Sequence, residues 1–324
     1  MEEKTVLVTA IGGNVGQGIL RNIGALEYDI RLVGTNTLAA SAGNHLVSSF
    51  YQVPLGVDKR YIPTLQSIID KEQVDLVIPS TDFEVEILSQ NLAELNTKVA
   101  CADSSVTKIY LDKFLSFEFH KLHEIPFAIS CLPSQFNEGF IPAIAKPRLG
   151  RGSRGLIKNY IGEEDLSDSE YLVQKMYSGK EITTAAYVSY TTGLLVGFIT
   201  MERTLENGAT TFCKVIKDHD QDIGLIIDRI VSASSIRGAF NIQCILTEKN
   251  EVFPFEVNCR ISGTNSIRSH FGFEDVRYTI EELLFNKAII APVIKEGMAY
   301  RYLADVIYTE GLHNGDSSDN YKIF

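Results

Sequence analysis

Short apolar runs alternate with amphipathic stretches along the first hundred residues. Strands are expected near 5–10, 30–35, 74–79 and 97–101, and helices near 16–26, 61–72 and 84–95. Strand and helix in alternation predict a parallel sheet covered on both faces. A boundary is expected near 103–111, followed by a helix from about Asp112 with Phe114, Phe117 and Leu122 on its apolar face. Further along, Ile182 to Tyr190 reads as a strand after the Ser178-Gly179 turn. Phe240 to Thr247 and the run from Val252 read as a hairpin joined by the polar turn Glu248-Lys-Asn-Glu251. Asp275 to Asn286 has Val276, Ile280, Leu283 and Leu284 at helical spacing, and His313 to Asn320 reads as a polar, mobile tail.

The second strand of that hairpin carries chemistry. In Phe253-Pro-Phe-Glu-Val-Asn-Cys-Arg-Ile-Ser-Gly-Thr264, alternation places Glu256, Asn258 and Arg260 on one face. Two oxygen donors suit Mg²⁺, and a guanidinium fork suits a phosphate. Gln243 lies thirteen positions before Glu256, where the hairpin can bring it opposite as a further oxygen ligand. Upstream, Ala145-Lys-Pro-Arg-Leu-Gly-Arg-Gly-Ser-Arg-Gly155 sets Lys146, Arg148, Arg151 and Arg154 among three glycines with no acid between them. Glycines admit backbone N–H groups close to an anion and the cations neutralise it. The run lacks the Gly-Lys-Ser/Thr ending of a Walker A loop.

These segments, in this order, resemble the ATP-grasp superfamily, and most closely one ATP-binding unit of the carbamoyl-phosphate synthetase large chain with its pre-ATP-grasp domain. The resemblance spans nearly the whole chain. It implies an α/β fold: a Rossmann-like pre-ATP-grasp domain over 1–110, then a two-subdomain α+β ATP-grasp domain over 111–310, and a tail over 311–324. The nucleotide cleft is expected between about 111–176 and 177–310. Lys113 and Lys146 match residues that reach the phosphates, and Arg151, Gly152 and Ser153 fall in the glycine loop. Gln174, Lys175 and Met176 match the hinge that receives adenine, largely through backbone groups, and Glu181 matches the ribose glutamate. Many relatives have Glu where this chain has Gln174, and Asn-Pro-Arg where it has Asn258-Cys-Arg260. Gln243, Glu256 and Asn258 match the metal ligands and Arg260 the phosphate-binding arginine. Read from the residues alone, Tyr171, Leu172, Val173 and Met176 supply an apolar run able to sandwich a purine. Lys214 is a candidate for the γ-phosphate, and Arg268, with His270 beside it, for the acceptor carboxylate.

The start of the chain carries its own glycine signal, Val6-Leu-Val-Thr-Ala-Ile-Gly-Gly-Asn-Val-Gly-Gln-Gly18. It reads as a strand, a glycine turn and a helix. The Gly-x-Gly-x-x-Gly spacing is missing, and Val33-Gly-Thr-Asn-Thr-Leu38 lacks the acid that would hold a ribose 2′-OH, which argues against a dinucleotide enzyme. Ser80-Thr-Asp-Phe-Glu84-Val-Glu86 closes a strand where ligands gather in open α/β sheets; it reads as a helix cap, with Asp82 free to meet a substrate amine.

Composition narrows the partners. The 324 residues carry a formal net charge of −11 and a pI near 5.1, which with one basic cluster argues against nucleic acid. Five cysteines without a Cys-x-x-Cys pair indicate neither a disulfide framework nor a zinc site. No apolar span reaches the roughly 20 residues that cross a membrane, so a cytoplasmic protein without membrane partners is expected. A homodimer is compatible with this reading. The activity implied is a carboxylate–amine ligase using ATP with Mg²⁺ or Mn²⁺ and small-molecule acid and amine substrates. An ATP-grasp kinase, a carboxylate–thiol ligase and a non-catalytic ATP-binding module are the alternatives.

Overall fold

The computed structural model describes residues 3–150, 154–206, 208–308 and 321–324. Its first unit is a parallel sheet of β1 (Lys4–Val8), β2 (Ile30–Asn36), β3 (Ser49–Gln52), β4 (Leu76–Ile78) and β5 (Lys98–Val99), in the order β3-β2-β1-β4-β5. The helices α1 (Asn14–Gly24), α2 (Tyr61–Glu72) and α3 (Asp82–Gln90) connect its strands. Four strands and three helices stand where the apolar rhythm puts them. The short edge strand β3 was not foreseen, because Ser49-Phe-Tyr-Gln52 has too little apolar character to mark a strand alone. Thr81 caps α3 by accepting from the Glu84 N–H at 3.3 Å.

Two helices follow, α4 (Ser104–Leu111) and α5 (Lys113–Leu122). The expected boundary at 103–111 is therefore itself a helix, and Val106 and Tyr110 are buried in a core with α6 (Asp220–Ser234). Asp112 separates the pair and caps α5, accepting from the N–H groups of Phe114 and Leu115.

A four-stranded antiparallel sheet comes next: β6 (Ser130–Cys131), β7 (Ala143–Pro147), β8 (Ile157–Lys158) and β9 (Tyr171–Lys175), in the order β6-β9-β7-β8. The largest sheet has six strands: β10 (Lys180–Val188), β11 (Leu195–Glu206), β12 (Ala209–Ile216), β13 (Gly238–Leu246), β14 (Val252–Asn258) and β15 (Met298–Tyr300). Their order is β14-β13-β10-β11-β12-β15, all antiparallel. The β13–β14 turn places Asn250 at φ +63° and is tied by bonds between Thr247 and the residues Asn250 and Glu251. The helices α7 (Asn265–Arg268) and α8 (Asp275–Leu283) precede β15. A last pair, β16 (Val306–Tyr308) and β17 (Tyr321–Ile323), is antiparallel. Tyr321–Ile323 is thus strand rather than tail, while 309–320 lie outside the described residues.

Alternation divides the six-stranded sheet between two cores. Ile182, Ala186, Ile242 and Cys244 face α6 and bury Ile223, Ile226, Ile227 and Ile230. Ala185, Tyr187, Ile199, Met201 and Cys213 face the other way and share a core with Val6, Val8, Ile19 and Leu20 of the first unit. That second face is only partly covered. Beyond Met201 it opens into a cleft.

Candidate active site

The cleft encloses about 980 Å³, the upper end of what small-ligand sites need. Its lining includes Lys113, Lys146, Gln174, Lys175, Met176, Glu181, Gln243 and Glu256, all chosen from the sequence. Arg151, Gly152 and Ser153 lie outside the described residues, although Gly150 and Arg154 on either side line the cleft.

The hairpin register sets Gln243 directly opposite Glu256 and Asn241 opposite Asn258. A bulge at Gln243/Cys244 sets Phe255 aside and leaves the polar pair matched. Gln243 donates to Asn258 Oδ1 at 3.1 Å, and Asn258 donates to Glu256 Oε1 at 3.0 Å. Three oxygen-bearing side chains are therefore linked in one chain on one face. Among the described residues no group of three His, Cys, Asp or Glu forms a metal cluster. One carboxylate with two amide oxygens fits Mg²⁺ that arrives with phosphate and water ligands rather than a free ion caged by protein.

The cations stand across from this set. Lys146 is 5% exposed, donates to Gln174 Oε1 at 2.7 Å and lies 5.3 Å from the Phe255 ring centre. Burial brings its pKa down from 10.5 to about 8, opposed by the attraction of Glu256 and aided by the repulsion of Lys113. Lys113, at the start of α5, donates to the Gly150 carbonyl at 2.9 Å. Arg148, from the same glycine loop, is instead paired with Asp112.

Gln174 is occupied by Lys146 and Ser130, so its amide does not face the cleft freely. The N–H groups of Lys175 and Met176 donate to Ile129 and Pro142. The apolar wall also differs from expectation. Leu172 and Val173 are fully buried inside β9, and Tyr171 does not line the cleft. The wall is made by Ile144, Met176, Tyr177, Ile245, Phe253 and Phe255, with Tyr177 stacked on Phe253 at 3.9 Å. Gly179 allows the turn into β10, because a Cβ there would sit 2.1 Å from the Leu246 carbonyl oxygen.

Three candidates are placed differently. Lys214 belongs to the row Lys214–Glu202–Ile182–Cys244, one residue out of step with Gln243, Thr183 and Met201, so it projects from the opposite face. It does not line the cleft. Arg268 is fully buried; it pairs with Asp275 and donates to Ser262 and Thr264 at 2.8 Å each, so its guanidinium is structural. His270, beside it, is exposed. Arg260 lies beyond the end of β14 and turns to the first unit, donating to Asp82 Oδ2 at 2.7 Å. Asp82 is thereby spent on Arg260 rather than left for an amine.

Arg203 was missed. It donates to Glu181 Oε1 from Nε at 2.9 Å and Nη2 at 2.5 Å, and to Gln243 Oε1 at 2.6 Å. It bridges a candidate ribose residue and a candidate metal ligand. Extending the alternation into Met201-Glu-Arg-Thr204 would have found it, but Glu202 and Arg203 side by side read as a solvated strand.

Several solved structures superpose on this chain. N5-carboxyaminoimidazole synthetase from Staphylococcus aureus, complexed with ADP, superposes with a TM-score of 0.75 at 13% identity, covering 93% of this chain and 82% of that one. The fold is that of the ATP-grasp enzymes, preceded by their N-terminal domain. Biotin carboxylase from Campylobacter jejuni shares this ATP-grasp fold at a TM-score of 0.72 and 13% identity, over 91% and 74% of the two chains. The biotin carboxylase domain of Hydrogenobacter thermophilus 2-oxoglutarate carboxylase, a dimer with MgADP and bicarbonate, matches at 0.69 and 16%, over 86% and 69%. By sequence, residues 13–101 match the family described as PylC-like, N-terminal domain. No curated protein matches the chain.

Proposed function

We propose that this protein is an ADP-forming ATP-grasp ligase that joins a carboxylic acid to an amine. The observation that carries the reading is the cleft lined by buried Lys146 and Lys113 together with Gln243 and Glu256, which buried Asn258 links through hydrogen bonds to both. Two ammonium groups opposite a metal-type oxygen set fit a triphosphate. The solved relatives that hold ADP and MgADP support the same choice of ligand.

In this reading the adenine lies against Met176, Tyr177 and Phe253, and Glu181 takes the ribose once Arg203 yields it. Gln243, Glu256 and Asn258 would hold Mg²⁺, which when bound supplies charge neutralisation on the phosphates. A substrate carboxylate oxygen attacks the γ-phosphorus and ADP departs, leaving an acylphosphate. The amine then attacks the acyl carbon, phosphate leaves with its electron pair, and the amine's proton goes to solvent. Lys113 and Lys146 are aimed at the phosphate chain and offset its charge, so the chain's contribution is positioning and electrostatics.

Glu256→Gln tests this directly. The change is nearly isosteric and removes the set's anionic ligand, while base and sugar contacts stay. ATP turnover with pooled acids and amines should fall by more than about a hundredfold, with nucleotide still bound and product mass absent. Turnover near the parent level would remove the metal role from β14 and the ligase reading with it.

A further inference from the structure

With Arg268 closed off by Asp275, the acceptor acid lacks its expected partner, and Arg301 offers another. Arg301 lies just past β15, and its backbone N–H donates to the Thr211 carbonyl at 2.8 Å, continuing the antiparallel pairing with β12. Alternation continues too. Met298 and Tyr300 are exposed, whereas Ala299 and Arg301 turn inward. Register places Ala299 beside Cys213 and Cys213 beside Arg203, so Arg301 stands on the same face as Arg203, Glu181 and Gln243.

Its guanidinium is only half used. Nη2 donates to the Gly263 carbonyl at 2.8 Å, while Nη1 is buried without an acceptor among the described residues. A buried donor left unmet is costly, and arginine cannot shed its charge to escape. Gly263 in turn lies against the start of α1, where a Cβ would come within 2.9 Å of Asn14 Nδ2. The α1 helix is capped by Gly13 without a side-chain bond and has no acid in its first turn. Its leading N–H groups and the positive end of its dipole therefore remain for a ligand. The start of α1 follows the carboxyl end of β1, where open α/β sheets bind ligands.

We propose that Arg301, with Asn14 and the first turn of α1, binds a second anionic group of the acceptor, so that the acid ligated here carries an oxyanion besides the carboxylate that is phosphorylated. It is a second group because β15 is four strands from β13, each step about 4.8 Å, and Gln243 and Glu256 mark the reacting end. The inference rests on the ligase reading.

The test compares the parent, Arg301→Gln and Arg301→Lys in MgATP turnover with an amine pool and three sets of acids: monocarboxylic, dicarboxylic, and carboxylic acids bearing a phosphate. The parent should favour an acid with a second oxyanion, and the second and third sets tell carboxylate from phosphate. Arg301→Gln should raise KM for that acid about ten- to a hundredfold with kcat held within about threefold. Arg301→Lys, which keeps the charge and loses the fork, should fall between. MgADP affinity equal to the parent's shows that each variant retains the cleft, and if Arg301→Gln does not fold, Arg301→Lys carries the comparison. A preferred acid with no second anionic group overturns the inference, as does an unchanged KM in either folded variant. Absence of parent turnover with every acid, despite MgADP binding, overturns the ligase reading itself.

Discussion

Lys146 shows what one residue does when its surroundings change. Burial, with Lys113 close by, brings its pKa down to about 8, so below that pH it carries charge with Glu256 as a countercharge. A triphosphate would hold the proton on. Binding above pH 8 must then be accompanied by proton uptake, and affinity should fall as pH rises from 8 toward 10. Calorimetry in two buffers of different ionisation enthalpy measures that uptake. Lys146→Ala should abolish it and weaken ATP binding at pH 7 about ten- to a hundredfold, the loss of one charge-assisted bond. A folded Lys146→Ala protein with the parent's affinity and proton uptake would remove Lys146 from the phosphate site.

At the scale of the element, the six-stranded sheet sorts side chains by parity. Glu181, Arg203, Gln243 and Glu256 fall on the cleft face, whereas Lys214, one step out of phase, falls with Glu202 on the reverse. Lys214→Ala should therefore leave ATP turnover and nucleotide affinity within about twofold of the parent, as surface changes remote from a site do. A large loss would mean that the β11–β12 register shifts during the reaction. The hairpin that aligns Gln243 with Glu256 was legible because its turn, strand lengths and alternation are all local. The α4 helix was not, because Ser104 to Leu111 is only two turns long and its burial comes from neighbours distant in sequence, α3 and β14, as well as from α5.

At the scale of the whole molecule, the first unit does more than precede the cleft. Asp82, 178 residues from Arg260 in sequence, holds its guanidinium at the end of β14. Asn265, fully buried, bonds Asn22 and Val15 of α1 from the far side of the chain. The two units are joined by polar contacts around the place where the acceptor would lie. Asp82→Ala should release Arg260 and lower turnover about tenfold or more, the worth of a charge-assisted bond. Nucleotide affinity should be kept, since the hinge is untouched. Equal loss of nucleotide binding would show that Asp82 supports the fold and not the reacting end.

The sequence by itself determined what depends on short range: the alternation of strand and helix in the first unit, and the hairpin that sets Gln243 opposite Glu256. Backbone periodicity and turn chemistry act over a few residues, so they can be read from a few residues. Tertiary structure decided which charges are free. Arg268, Arg260 and Arg301 lie within about forty positions and look alike in sequence. Asp275 closes the first, Asp82 takes one arm of the second, and the third bonds only the Gly263 carbonyl, with Arg260 Nε and Arg301 Nη1 both buried and unmet among the described residues. An arginine's role is fixed by the acceptors within a few ångströms of it, and here folding supplied carboxylates to the first two that sequence spacing could not show.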